Sequence, residues 1–245
     1  MCYSDGARPP LPPVSGAAAD HGDHTLRSAD GTEFAAYFAR AERPSGAGML
    51  VLPDVRGLHH FYKELAQRFA EAGVDALAID YFARTAPDSR RDEDFEWRSH
   101  VDRSAPETVD ADARAGIDWL RSAPGGVRSV FTVGFCWGGS NSWRQSATQQ
   151  GVAGCIGFYG VPARAREYIP RMRAPLLLLV AGDDHTPQEE FHRFDRELSE
   201  AGVEHEMHAY EGAPHSFFDR TFDQHRAACD DAWRRMLGFI ERHTA

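Results

Sequence analysis

The sequence predicts an α/β fold: a doubly wound, mainly parallel sheet with an antiparallel N-terminal edge. Three observations carry this expectation. Short apolar runs recur along the 245 residues, segments of helix length with helical apolar spacing separate them, and an Asp-Gly pair joins two alternating runs near the start.

Residues 1 to 22 are rich in Pro, Ala and Gly without periodicity, so they read as an extended arm on the domain or loose in solvent. The remainder, 23 to 245, reads as one α/β unit, because no mid-chain linker or 20- to 50-residue repeat divides it. From His24, HTLRSA and TEFAAYFA meet at Asp30-Gly31, a hairpin signal. After PSGAG come the runs MLVLP (49–53), VDALAID (74–80), SVFTVGF (129–135), VAGCIGFYG (152–160) and APLLLLVAG (174–182). Uninterrupted runs of this length describe strands covered by helices on both faces. YKELAQRFAEAG and ETVDADARAGIDWLRS place apolar residues three and four apart, as amphipathic helices do. HEMHAY (205–210) reads as the last strand and HRAACDDAWRRMLGFIERH as a closing helix.

A net charge of −10 without a Lys/Arg run argues against nucleic acid or an anionic membrane as partner and favours a small molecule or a protein. Cys2, Cys136, Cys155 and Cys229 are scattered and show no metal-site spacing. They read as reduced thiols of a cytoplasmic protein. No secretory pattern opens the chain and no run approaches a membrane span. A monomer needing neither metal nor organic cofactor is the expectation.

In such sheets, sites gather beyond the carboxyl ends of the strands. There the sequence has GFCWGG, the thiol version of the Gly-x-Ser-x-Gly elbow, a tight strand-to-helix turn that lifts its central residue into a cleft. The turn puts Cys136 at a helix N-terminus, which favours thiolate, and frees the Trp137 amide as an oxyanion donor. A buried structural thiol is the alternative. Chain order favours the nucleophile, since an acid and then a histidine must follow, each after a later strand. APLLLLVAGDDHTP supplies Asp183 and Asp184, of which Asp184 is the better acid; HEMHAYEGAPHSFF supplies His215. His185, His205 and His208 compete for the base role, and surface or core roles suit the last two better.

These residues resemble the dienelactone hydrolase (carboxymethylenebutenolidase) family of the α/β-hydrolase fold. The likeness runs from about residue 24 to the C-terminus and rests on LPDVRGL, IDYFART, GFCWGGS, and GDDH with GAPHSF. It implies Cys136 as nucleophile, His215 as base and acid, Asp184 as the group orienting His215, and the amides of Val55 and Trp137 as oxyanion hole. It also implies a substrate-binding role for Arg84, whose guanidinium suits a substrate carboxylate. Where the family usually has a glutamate that helps switch the resting thiol to thiolate, this chain has the shorter Asp54, which alternatively caps its loop. The family's second substrate arginine falls at Asp219, with Arg220 one residue further; this departure bears on recognition of a carboxylate-bearing dienelactone.

The resemblance implies hydrolysis of a lactone or activated ester through a thioester acyl-enzyme. A thiol-based redox sensor and a catalytically silent binding protein are the rivals from other classes, and a thioesterase or acyltransferase the rival within enzymes. Residues 85 to 104 read as a solvated excursion, or as a lid with Phe95 and Trp97 facing substrate. Trp137 is placed to line a pocket and Trp143 to pack in the core.

Overall fold

The computed structural model describes residues 5–122, 126–148, 150–219 and 222–245; Cys2 and Arg220 lie outside the described residues. β1 (Ala18–Arg27) and β2 (Glu33–Ala41) pair antiparallel, with Arg27 opposite Glu33 across the Asp30-Gly31 turn. The turn is where the sequence places it, but the strand is longer. Residues 18 to 22 belong to the sheet, not to the arm, which corrects the boundary expected at residue 22. The reason is exposure: Leu26 is the one buried residue of β1, so an edge strand of this kind carries little apolar alternation to read.

The chain continues through β3 (Ala47–Leu52), α1 (His60–Glu71), β4 (Asp75–Ile79), α2 (Trp97–Asp102), α3 (Pro106–Arg121), β5 (Ser129–Phe135), α4 (Trp137–Gln145) and β6 (Gly154–Phe158). Two 3-10 turns follow, then β7 (Leu176–Asp183), α5 (Gln188–Glu200), β8 (His205–Pro214) and α6 (Arg226–His243). The strand order is β1-β2-β4-β3-β5-β6-β7-β8; β2 meets β4 antiparallel, and the pairs from β4 to β8 are parallel.

Every residue of β3, β4, β5 and β6 is buried, as the apolar runs require of strands covered on both faces. One apolar layer joins α1 (Phe61, Leu65, Phe69) and α6 (Trp233, Met236, Phe239); the other joins α3 (Val109, Ile117, Leu120), Trp143 and α5. α5 was not anticipated. Its stripe of Phe191, Phe194 and Leu198 has helical spacing but sits in a strongly charged segment.

The described part of the arm, from Asp5 on, lies on the domain. Trp233 Nε1 donates to the Pro10 carbonyl at 3.1 Å, His60 Nε2 meets the Ala7 carbonyl at 3.1 Å, and Arg8 pairs with Glu64 at 3.1 Å. Because the parallel strands share one direction, their carboxyl ends open on one edge of the sheet. The segments after β3, β4, β5, β6, β7 and β8 all emerge there.

Candidate active site

The turn after β5 is held by backbone packed on backbone. A Cβ on Gly134 would stand 1.9 Å from the Gly138 carbonyl oxygen, and one on Gly138 would stand 2.1 Å from that of Pro53. Glycine is therefore obligatory at both places, and the elbow is pressed against the end of β3. Cys136 itself adopts φ 55°, ψ −115°, a conformation L-residues rarely take. Its amide donates to the Phe158 carbonyl at 3.0 Å, while its own carbonyl accepts from Gly139 at 3.0 Å. Cys136 is partly exposed; Cys155 and Cys229 are buried, and burial pushes each of their thiols up to about 12. Those two are small core side chains, whereas Cys136 sits in a strained turn at the N-terminus of α4.

His215 follows the last residue of β8. Its Nδ1 lies 2.9 Å from Asp184 Oδ2, and a carboxylate only accepts, so the Nδ1 proton points at Asp184. Asp184 Oδ1 accepts the Thr186 amide at 2.9 Å, which fixes the carboxylate. The imidazole thereby turns Nε2 away from Asp184, and it interacts by hydrogen bond and charge with Cys136. Burial disfavours the imidazolium, but the Asp184 and Cys136 partners outweigh it and raise the His215 pKa to about 10. Asp183 is exposed beside it. His205 bonds the Val203 carbonyl and Asp195, His208 faces Asp231, and His185 lies with its ring 5.4 Å from that of His215.

The loop after β3 carries Val55 and Asp54. Asp54 is fully buried; Oδ1 accepts the Arg56 amide at 2.9 Å and its carbonyl accepts the Gly57 amide at 3.1 Å. The Asp54 side chain thus caps its own turn while sharing the electrostatic environment of Tyr81 with Cys136. Trp137, at the first position of α4, has an amide in the turn where a helix leaves its N–H groups without intrahelical partners. Its indole meets Tyr81 edge-on at 4.8 Å, stacks on Phe82 at 5.7 Å, and lines a cavity of about 210 Å³ with Val109, Asn141 and Tyr168. Trp143 is buried in the core as expected.

Arg84, expected to bind substrate, is engaged by carboxylates of the fold. Its guanidinium grips Asp112 at 2.7 and 2.8 Å and Asp30 at 2.7 and 3.1 Å, so the fork joins α3 to the β1–β2 turn. Asp112 is fully buried and needs that cation. Asp219 is likewise internal, accepting from the Tyr159 hydroxyl at 3.2 Å. Phe95 packs on Phe82 and His100 with the Arg91 guanidinium 4.4 Å above it, and Arg91 pairs with buried Asp80 at 2.7 Å. This part of the 85–104 segment is tethered, and Phe95 forms part of the tether.

Sequence reasoning missed Tyr159 and Tyr81. Tyr159 has φ 36° and packs its ring 4.8 Å from that of His215; Tyr81 donates to the Pro53 carbonyl beneath Trp137. Each stands just beyond the carboxyl end of its strand, the positional signal that could have found it.

Residues 34–244 match the model of the dienelactone hydrolase family. A carboxymethylenebutenolidase of Rhodococcus opacus is 28% identical, with 99% of this chain and 97% of that protein covered. One of Pseudomonas putida is 25% identical over 79% of this chain and 84% of its own length. Among solved structures, a dienelactone hydrolase-like promiscuous phosphotriesterase from metagenomic libraries superposes with TM-score 0.77 at 23% identity, covering 94% of this chain and all of that one. A Pyrococcus furiosus esterase gives 0.71 at 15% identity, covering 98% of this chain and all of that one. At these identities the solved structures speak for the fold.

Proposed function

Because the chain belongs to the dienelactone hydrolase family, we propose that it hydrolyses a lactone or an activated carboxylic ester through a Cys136–His215–Asp184 triad and a covalent thioester acyl-enzyme. The supporting observation is the His215 imidazole, held by Asp184 at 2.9 Å on one side and interacting with Cys136 on the other. An imidazole with its pKa raised to about 10 beside a thiol favours a resting thiolate–imidazolium pair.

In the first step the Cys136 sulfur attacks the ester carbonyl, and the Val55 and Trp137 amides hold the oxyanion. Collapse expels the alkoxide, which takes the proton of His215, and leaves the acyl group on sulfur. His215, now neutral, removes a proton from water as the water adds to the thioester; Cys136 departs as thiolate and the acid is released. A thiolate leaves its own adduct readily, so an ordinary alkyl ester tends to revert whereas a strained enol lactone or an activated ester goes forward. This chemistry needs no metal or organic cofactor. Asp54, buried beside the elbow loop, is the carboxylate in place to influence the thiol. We further read the chain as a cytoplasmic monomer acting on a small molecule and not on nucleic acid, in keeping with its charge of −10.

Ultraviolet-monitored hydrolysis of a dienelactone and of an activated aryl ester, with wild type and Cys136→Ala in parallel, tests the proposal. Turnover of either substrate that disappears in the variant supports it; dienelactone turnover also fixes the substrate class. Failure of both in folded protein would sink it and return the thiol to a redox or ligand-binding role.

A further inference from the structure

We propose that Asp5, on the N-terminal arm, is a positioning residue for the loop that carries the Val55 amide, acting through Arg56 and His59. The inference rests on the hydrolytic reading above. The segment from Pro53 to His59 reverses direction within a few residues and is organised by short internal bonds: Arg56 N to Asp54 Oδ1, Gly57 N to the Asp54 carbonyl, and His59 N to the Gly57 carbonyl at 2.7 Å. From outside, the Tyr62 hydroxyl accepts the Asp54 amide at 3.0 Å and the Tyr81 hydroxyl donates to the Pro53 carbonyl, both at the start of the loop. Past Val55, the two large polar side chains reach outward. Arg56 is 1% exposed and His59 2%, yet both converge on one oxygen, Asp5 Oδ1, each at 3.1 Å.

The chemistry of that meeting is fixed. His59 Nδ1 accepts the Phe61 amide at 3.2 Å, capping α1, so the ring proton resides on Nε2 and is donated to Asp5. Burial and the neighbouring Arg56 cation keep this imidazole neutral, lowering its pKa to about 3. Asp5 therefore opposes the charge of one buried guanidinium and also accepts from Nε2 of the residue that caps α1. A buried guanidinium that loses a carboxylate partner must rearrange or draw in water. Val55 is bonded to Arg56 through one peptide, so that rearrangement would turn its amide away from the oxyanion. Asp5 also donates its own amide to Glu93 Oε1 at 2.6 Å, which ties the 85–104 segment to the same point.

Other contacts of the described arm are independent of Asp5: Arg8 to Glu64, Pro10 to Trp233 and Ala7 to His60. The loop can therefore be perturbed without detaching the arm. The experiment compares Asp5→Ala, Asp5→Asn and Arg8→Ala in aryl-ester kinetics and in hydrogen exchange of residues 54–59. Asp5→Ala is expected to lower kcat about tenfold with KM within about twofold, less than the 10²- to 10³-fold cost of deleting an oxyanion donor outright. It is also expected to speed exchange in the loop. Asp5→Asn, which retains an acceptor oxygen, should fall between Asp5→Ala and wild type, and Arg8→Ala should match wild type. An unchanged kcat in Asp5→Ala, an equal fall in Arg8→Ala, or a fall with no change in loop exchange would each overturn the proposal. Were wild type inactive on every ester, the hydrolytic reading would fail with it; faster loop exchange in Asp5→Ala alone would then show the tether without the catalytic role.

Discussion

The turn after β5 and the loop after β4 leave the same edge of the sheet, and both carry a residue expected to act on substrate. They use those residues in opposite ways. In the β5 turn, glycines at 134 and 138 bring backbone against backbone and leave Cys136 partly exposed at φ 55°. In the β4 loop, Arg84 turns back into the fold and spends its fork on Asp112 and Asp30. A position at the mouth of the site does not by itself leave a side chain available to substrate. What decides is whether the fold holds a competing partner for the side chain: buried Asp112 competes for Arg84, while the partner of Cys136 is the imidazole that would activate it.

The sharpest way to break the comparison is at the elbow. Cys136→Ala should lower kcat by roughly 10³-fold or more while leaving the melting temperature unchanged within a few degrees. Activity assay and thermal melt on one preparation give both numbers. Gly138→Ala should do the reverse in kind, destabilising the fold by about 3 kcal/mol or more as its methyl meets the Pro53 carbonyl; an urea midpoint near that of wild type would refute the packing argument.

The β4 loop gives a smaller, separable effect. Arg84→Ala should cost about 3 kcal/mol by stranding the Asp112 carboxylate, at the lower end for a broken buried pair because Arg84 keeps some exposure. Activity per folded molecule should not change for neutral or carboxylate-bearing esters. A selective loss for the carboxylate-bearing ester alone would give Arg84 a role in binding substrate.

The finest distinction is a titration. The folded pKa of His215 is raised to about 10, above the ordinary 6.5 of an unfolded histidine. Its contribution to stability is therefore fully present below about pH 6.5, and declines as pH rises from there through 10. Nuclear magnetic resonance of the imidazole should show protonation persisting beyond pH 8 in wild type and ending at lower pH in Cys136→Ala, which lacks the sulfur partner. Equal titration in both proteins would mean that Asp184 alone holds the proton.

The order of the strands, helices α1, α3 and α6, the hairpin at Asp30-Gly31, the turn at Cys136, and the places of Asp184 and His215 after later strands were legible in the sequence. They depend on periodicity, on chain order and on backbone geometry that only glycine admits, and each of these is written locally or in sequence. The beginning of β1 and helix α5 were less legible, because an exposed edge strand and a charged helix dilute the apolar pattern. What Arg84 holds, what Asp5 holds, and which way His215 points could only be decided in three dimensions. Arg84 meets Asp30 across 54 positions, Asp5 meets Arg56 across 51, and His215 meets Asp184 across 31. A charged side chain on a strand-end loop has many partners open to it in the sequence, and burial selects among them only when the sheet has brought them together.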